Sequence, residues 1–126
     1  MINVLVVDDD KATRVYASAL FNQYMDKYGV DISTDVAMSG MKAVTMCRRK
    51  KYDVVILDMM LPIISGIEVA ETIRTFGKSK KAMIVGHSVM MEDKAIVDKA
   101  IKRGVDFFTP KPLTAGGLER MLGAKG

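Results

Sequence analysis

Residues 52–69 read YDVVILDMMLPIISGIEV, and this stretch decides the fold. Val54–Leu57 is a short unbroken apolar run rich in β-branched residues, which predicts a buried strand that Asp58 closes. A proline and a glycine punctuate the loop that follows, and Ile67–Phe76 has the length and pattern of a helix. The stretch is therefore a strand–loop–helix unit of the kind that builds parallel sheets.

The same alternation extends in both directions along the chain. The other predicted strands are Ile2–Val7, Ile32–Ala37, a strand starting at Met83–Val85, and Phe107–Thr109. The other predicted helices are Lys11–Tyr28, Ser39–Lys50, Glu92–Arg103 and Thr114–Leu122, the last with Thr114 as its N-cap. Strands that alternate with helices predict an α/β fold with a doubly wound parallel sheet, a (βα)5 domain. For five strands we expect the flavodoxin-like order 2-1-3-4-5.

Composition limits the classes of protein that the chain fits. Its 126 residues, 49% of them hydrophobic, suit one domain with a real core, spanning residues 1–126. The N-terminal apolar run is too short for a signal peptide or a membrane span, so we expect a cytoplasmic protein, or a nuclear one in a eukaryote. The net charge of +4 comes with no aromatic residues among the basic clusters, which argues against direct nucleic-acid binding.

Polar residues follow the predicted strands at their carboxyl ends. Asp8–Asp10 follow the first strand, Asp58 the third, His87 and Ser88 the fourth, and Lys111 the fifth. Because the carboxyl ends of parallel strands share one edge, where such folds bind ligands, these side chains should converge. Clustered carboxylates repel one another unless a cation compensates them, and an all-oxygen set favours Mg²⁺, with Mn²⁺ as the alternative.

A carboxylate in this position can act as a nucleophile and form an aspartyl phosphate. Phosphoryl transfer depends mainly on positioning and on neutralisation of charge. Mg²⁺ and Lys111 would neutralise the phosphoryl oxygens, and the Ser88 hydroxyl would donate a hydrogen bond to one of them. These parts have one coherent use, which is to accept phosphate on Asp58.

With these residues in place, the chain resembles the receiver domain of two-component response regulators, the family of the chemotaxis receiver protein. The resemblance covers VLVVDDD, the segment around Asp58 with Pro62 four residues and Gly66 eight residues later, and KPLT. It extends to plant receiver-only regulators of the type-C group and to the receivers of hybrid histidine kinases.

The resemblance implies a metal site. Asp58 would be the phosphoacceptor and a metal ligand, and Asp9 the main carboxylate on Mg²⁺. Asp8 would act partly through water, and Met60 would contribute its backbone carbonyl.

The resemblance also implies the phosphate contacts. Ser88 would be the switch hydroxyl, Lys111 would contact the phosphoryl group, and the peptide bond before Pro112 would be cis. Phe108, three residues before Lys111, would be the switch aromatic.

The function implied is a receiver that accepts phosphate from a phosphohistidine on a histidine kinase or a histidine phosphotransfer protein. It would catalyse only its own phosphorylation and dephosphorylation, switch a face near strands four and five, and dock an unnamed downstream partner. We expect no membrane partner and no output domain within residues 1–126.

Two departures from the family pattern concern the lifetime of the phosphorylated state. Met60 stands where relatives often have a polar residue that helps water attack, and Val89 stands where a small residue is common. Both changes predict slow self-dephosphorylation. The interval from Ser88 to Lys111 is also one residue longer than usual, which allows a shift in this loop.

Three alternatives stay open. A phosphatase of the haloacid-dehalogenase class also uses an aspartyl nucleophile, which Asp8–Asp10 would supply, but it needs room for a substrate pocket. A flavin- or phosphate-binding protein needs a glycine-rich loop, which does not follow the first strand. A pseudo-receiver would bind partners without phosphorylation. Asp10 is interpreted as a helix cap or a surface residue, and His87 as a packed or surface residue rather than a catalyst.

Overall fold

The computed structural model describes residues 1–89 and 93–125. The strands are β1 (Ile2–Val7), β2 (Ile32–Ala37), β3 (Val54–Asp58), β4 (Met83–Ser88) and β5 (Phe107–Pro110). The helices are α1 (Lys11–Tyr28), α2 (Gly40–Arg49), α3 (Gly66–Thr75), α4 (Lys94–Lys102) and α5 (Ala115–Lys125). The predicted start of the fourth helix, Glu92, lies outside the described residues, and α4 begins behind its N-cap Asp93.

All five strands are parallel and follow the predicted order β2-β1-β3-β4-β5. The central strand β3 is buried along its whole length, as an unbroken apolar run requires when helices cover both faces of the sheet. Val7 pairs with Leu57, so β1 and β3 end side by side. The order reverses between these two strands, and the fold thus has its switch point where Asp8 and Asp58 emerge.

Alternate residues of the central strands point into two separate cores. One core packs the sheet against α1 and α5, and the other packs it against α2, α3 and α4. Strand β1 shows the alternation clearly, because Val4 and Val6 belong to the first core, whereas Leu5 and Val7 belong to the second.

One detail differs from the sequence-based expectation. The apolar face of α1 was expected to include Val15, Ala19, Leu20 and Met25. The helix does bury Leu20, together with Ala17 and Phe21, and Met25 packs against the same core, but Val15 and Ala19 are exposed. Leu20 and Phe21 lie three and four residues after Ala17 and all three belong to one core, so they form the buried face of the helix, and Val15 lies outside it. Strand β4 starts at Met83 and ends at Ser88, as expected from the start predicted at Met83–Val85 and from the position of His87 and Ser88 at its carboxyl end.

The amino ends of β4 and β5 are held together by Arg74. Its guanidinium donates hydrogen bonds to the carbonyls of Gly104, Lys80 and Ala82 and forms an ion pair of 2.8 Å with Asp106. One side chain therefore ties the end of α3 to the loops that lead into both strands.

Among the described residues, no helix combines the length and the apolar character that crossing a membrane requires.

Candidate functional site

Three carboxylates meet at the carboxyl edge of the sheet. Asp8 leaves the end of β1, Asp9 follows it, and Asp58 is the last residue of β3. One oxygen from each carboxylate lies within 4.8 Å of the others. Asp8 and Asp58 are only 1% and 4% exposed, whereas Asp9 is open to solvent. The predicted convergence of Asp8, Asp9 and Asp58 is therefore present.

Lys111 reaches the two buried carboxylates from the loop after β5. Its Nζ lies 2.8 Å from Asp8 Oδ2 and 3.4 Å from Asp58 Oδ2. Burial alone would lower the pKa of Lys111, but its contacts with Asp8 and Asp58 outweigh burial and raise the pKa. The lysine is held as a cation between the two acids.

The ionised form of Asp58 is disfavoured by its surroundings. Burial raises the pKa of its carboxyl group, and the nearby charge of Asp8 raises it further, while the Met60 N–H and Lys111 act in the opposite direction. Two buried carboxylates share one ammonium, and Asp9 adds a third negative charge. A divalent cation would relieve this excess charge, and the all-oxygen donor set fits Mg²⁺.

Backbone groups hold the two buried carboxylates in place. The Asp10 N–H donates to Asp8 Oδ1 at 2.9 Å, and the Met60 N–H donates to Asp58 Oδ1 at 2.9 Å. Asp10 itself caps α1, accepting from the Ala12 N–H and the Thr13 hydroxyl, and these hydrogen bonds lower the pKa of its carboxyl group. The interpretation of Asp10 as a cap is confirmed.

The loop after β3 passes close to Asp58 because residue 66 is glycine. A Cβ at Gly66 would lie 2.6 Å from the Asp58 carbonyl oxygen and 2.7 Å from Met59 Cα, which no side chain could accommodate. Helix α3 then begins at once with a capping box between Ser65 and Glu68. The glycine eight residues after Asp58 therefore has a physical role in positioning the acid.

Ser88 lies at the same edge, at the end of β4. The register pairs Asp58 with His87, so Ser88 stands one residue further along the neighbouring strand. Ser88 is buried, and Val89 is exposed beside it. The shift expected in the loop after Ser88 stays a prediction, because residues 90–92 of this loop lie outside the described residues.

Phe108 is half-buried on β5 and packs against the core beneath α2, α3 and α4. Phe108 is paired with Gly86 on β4, and a Cβ at Gly86 would lie 2.7 Å from two carbons of the Phe108 ring.

The Lys111–Pro112 peptide bond is cis in the structure, as the resemblance implied.

His87 points to the opposite face of the sheet from Ser88. It is 1% exposed and lines a groove with Tyr16, Ala17 and Pro112. Burial lowers the pKa of the imidazole to about 4, and the charge of Lys111 contributes to the shift. The interpretation of His87 as a packed residue is confirmed, and the ring is neutral at physiological pH.

Sequence reasoning missed the apolar surroundings of the acidic site. Met38, Met41, Met60 and Ile63 are exposed on loops and helix starts at the carboxyl edge, and Ile63 is fully exposed with φ of 72°. A β-branched residue rarely adopts this conformation, so the loop holds it there against its preference. The sequence feature that could have indicated these apolar surroundings is the pair Met38 and Met41, on either side of Ser39 and Gly40.

Fold and site together define a doubly wound α/β domain with an acidic, cation-compatible site at its switch point. Response regulator MprA of Mycobacterium sp. (strain KMS) is 28% identical over 123 residues, which make up 96% of this chain and 47% of MprA. The chain thus spans about half the length of the curated relatives that it matches.

Solved structures agree with this similarity. A CheY-like receiver domain from Methylobacillus flagellatus superposes with a TM-score of 0.85 at 25% identity, covering 100% of this chain and 99% of that one. The receiver domain of sensor histidine kinase PA1611 from Pseudomonas aeruginosa PAO1, solved with a magnesium ion in its active site cleft, gives 0.83 at 19% identity, covering 98% of this chain and 95% of that one. The response regulator receiver domain matches residues 4–122, and the chain belongs to that family.

Proposed function

We propose that this chain accepts a phosphoryl group on Asp58 from a phosphohistidine, in a Mg²⁺-dependent reaction. The observation that carries the proposal is the placement of the Asp58 carboxylate, which lies beside Lys111 and two further acids at the open edge of the sheet. Receiver domains of response regulators interact with histidine kinases or phosphotransfer proteins, and either would be the donor.

In the proposed reaction, a carboxylate oxygen of Asp58 attacks the phosphorus of the phosphohistidine. An O–P bond forms and the P–N bond breaks, and its electron pair goes to the ring nitrogen of the donor, which takes a proton from solvent. The Met60 N–H keeps Asp58 Oδ1 engaged, so Oδ2, the oxygen nearer Lys111, is the one available for attack.

Asp8, Asp9, Asp58 and the Met60 carbonyl would hold the Mg²⁺ ion. When bound, the ion would supply positive charge next to the phosphoryl oxygens. Lys111 would supply the second positive charge, since a phosphoryl group on Asp58 would lie within reach of its ammonium.

Phosphorylation would then be communicated through Ser88 and Phe108. The Ser88 hydroxyl would donate to a phosphoryl oxygen, and the end of β4 would move toward Asp58. The Phe108 ring, which rests over Gly86 on the same strand, would follow and change the face formed by β4, β5 and α5. The domain would act as a cytoplasmic signalling module, catalysing only its own phosphorylation and dephosphorylation.

The test is to incubate the protein with Mg²⁺ and a small acyl phosphate and to measure the intact mass and the site of modification. We expect the addition of one phosphoryl group, lost in Asp58→Asn and retained in the matched control Asp10→Asn, which removes the same charge from a helix cap. Label on Asp8 or Asp10 would instead favour a phosphatase-like enzyme. No uptake with either a small donor or a phosphohistidine protein would favour a pseudo-receiver.

A further inference from the structure

Four lysines surround one cavity at the edge of the sheet opposite Asp58. The cavity has a volume of about 360 Å³, and its lining includes Lys51, Lys78, Lys80 and Lys81, with Tyr52 and Asp53. The lysines come from the loops that precede β3 and β4, so the cavity lies at the amino ends of these strands.

The backbone around the cavity is fixed by a buried serine. Ser79 Oγ donates to the Lys50 carbonyl at 2.7 Å and accepts from the Tyr52 N–H at 2.8 Å. The N–H groups of Lys78 and Ser79 both donate to the Cys47 carbonyl, at 3.1 and 3.2 Å. The two lysine-bearing loops are therefore joined to each other, and this places four exposed lysines around one cavity.

The four lysines carry uncompensated charge. Within residues 1–89 and 93–125 none of them forms an ion pair, whereas the neighbouring Lys50 pairs with Asp35 at 2.9 Å. The carboxylate in the lining is that of Asp53, whose Oδ2 accepts the Asn3 N–H at 2.8 Å. Four positive charges and one negative charge leave a net charge of +3 around the cavity. Several positive charges around one cavity favour binding of an anion.

We propose that this cavity binds a ligand that carries several phosphate groups in a row. Lysine ammonium groups bind phosphate as point charges, and several of them around one cavity match several closely spaced negative charges. A nucleic-acid strand fits less well, because the lining offers no free aromatic face for a base. The Tyr52 side chain is buried, and its hydroxyl donates to Asp35 at 2.6 Å.

This site goes beyond the proposed phosphoryl transfer and does not depend on it. Asp53 directly precedes β3 and Asp58 ends it, and five steps of about 3.3 Å along the strand place the two residues about 17 Å apart. The ligand could be a free oligophosphate or a lipid headgroup with several phosphates, since both present the same chemistry to the lysines.

The test is a calorimetric titration of the full chain with inorganic tripolyphosphate at low ionic strength. We expect one site per chain, weakened by added salt. Lys78→Gln/Lys80→Gln should lower the affinity about tenfold. The matched control Lys94→Gln/Lys99→Gln, on exposed residues of α4, removes the same charge and should change the affinity less than about twofold. Asp58→Asn should bind as the wild type does.

Two vesicle titrations identify the source of the phosphates. If the protein binds tripolyphosphate but not vesicles that contain a bisphosphorylated inositol lipid, the ligand is a free oligophosphate. If the protein binds both, the ligand is a lipid headgroup. Equal weakening in both double variants would overturn the proposal, because net charge alone would explain it. Absence of tripolyphosphate binding would also overturn it, as would equal affinity for polyglutamate or for phosphatidylserine vesicles.

Discussion

Replacing Gly86 by alanine tests whether Phe108 depends on the absence of a side chain at this position on β4. The two residues are paired across β4 and β5, and the added Cβ would lie 2.7 Å from Cδ1 and Cε1 of the ring. Carbon atoms in contact are separated by about 3.5–4.0 Å, so the overlap is on the order of 1 Å. The ring must leave its place, since β4 is held by neighbours on both sides.

Two opposing effects set the size of the change. Alanine is favoured over glycine in a strand by about 0.5–1 kcal/mol, whereas overpacking costs about 1–3 kcal/mol. We therefore expect Gly86→Ala to lower the free energy of unfolding by about 1–2 kcal/mol. In urea unfolding followed by circular dichroism, this corresponds to a midpoint lower by roughly 0.5–1 M.

The double variant Gly86→Ala/Phe108→Ala separates the steric effect from a change in the strand itself. Without the ring, alanine at position 86 should be neutral or stabilising. Gly123→Ala is the control, because its added Cβ meets nothing within 4 Å and alanine is favoured in a helix. If Gly86→Ala costs the same with and without the Phe108 ring, the steric argument is wrong.

Three further predictions follow from the acidic site and from the opposite edge. Asp58→Asn should raise the free energy of unfolding at neutral pH without Mg²⁺, because it removes a buried negative charge next to Asp8. Folding raises the pKa of the Asp58 carboxyl group above its usual 3.8, so the wild type loses stability as the pH rises through the folded-state pKa. The stability difference between Asp58→Asn and the wild type, measured by urea titration, should therefore vanish below about pH 3.8. A difference that does not change with pH would contradict this explanation. Ser79→Ala should lower the free energy of unfolding by about 2 kcal/mol, because it leaves a buried N–H and a carbonyl without their partner, and a loss under about 0.5 kcal/mol would show that water replaces the hydroxyl. Met60→Asn and Val89→Ala should each shorten the half-life of the phosphorylated protein severalfold, measured as loss of the added mass with time. Unchanged half-lives would refute the prediction that Met60 and Val89 slow self-dephosphorylation.

The sheet and its acidic edge could be predicted because both follow from simple regularities. The unbroken apolar run Val54–Leu57 identifies a strand that is buried on both faces, and alternation with helices then implies a parallel order. Once the order is known, the convergence of Asp8, Asp58 and Lys111 needs no further information, because parallel strands end at one edge.

The features that were missed depend on contacts between segments that are distant in sequence. Val15 and Leu20 are both apolar and were expected on one face of α1, but the helix turns Leu20 and Phe21 toward the core and leaves Val15 exposed. The space that Gly86 leaves for Phe108 appears only after the register of β4 and β5 is known.

The Arg74 contacts give the two ends of β4 different freedom to move. At the amino end, the guanidinium joins β4 and β5 through carbonyls and Asp106, whose carboxylate also accepts the Ile84 N–H at 2.8 Å. At the carboxyl end, the Ser88 carbonyl accepts the Lys111 N–H at 3.0 Å. We expect the amino end to be the more rigid of the two, because one guanidinium joins three carbonyls and Asp106 there, so amide hydrogens near Ile84 should exchange with solvent more slowly than those near Ser88. A movement of β4 caused by phosphorylation of Asp58 would then be largest at the carboxyl end of the strand.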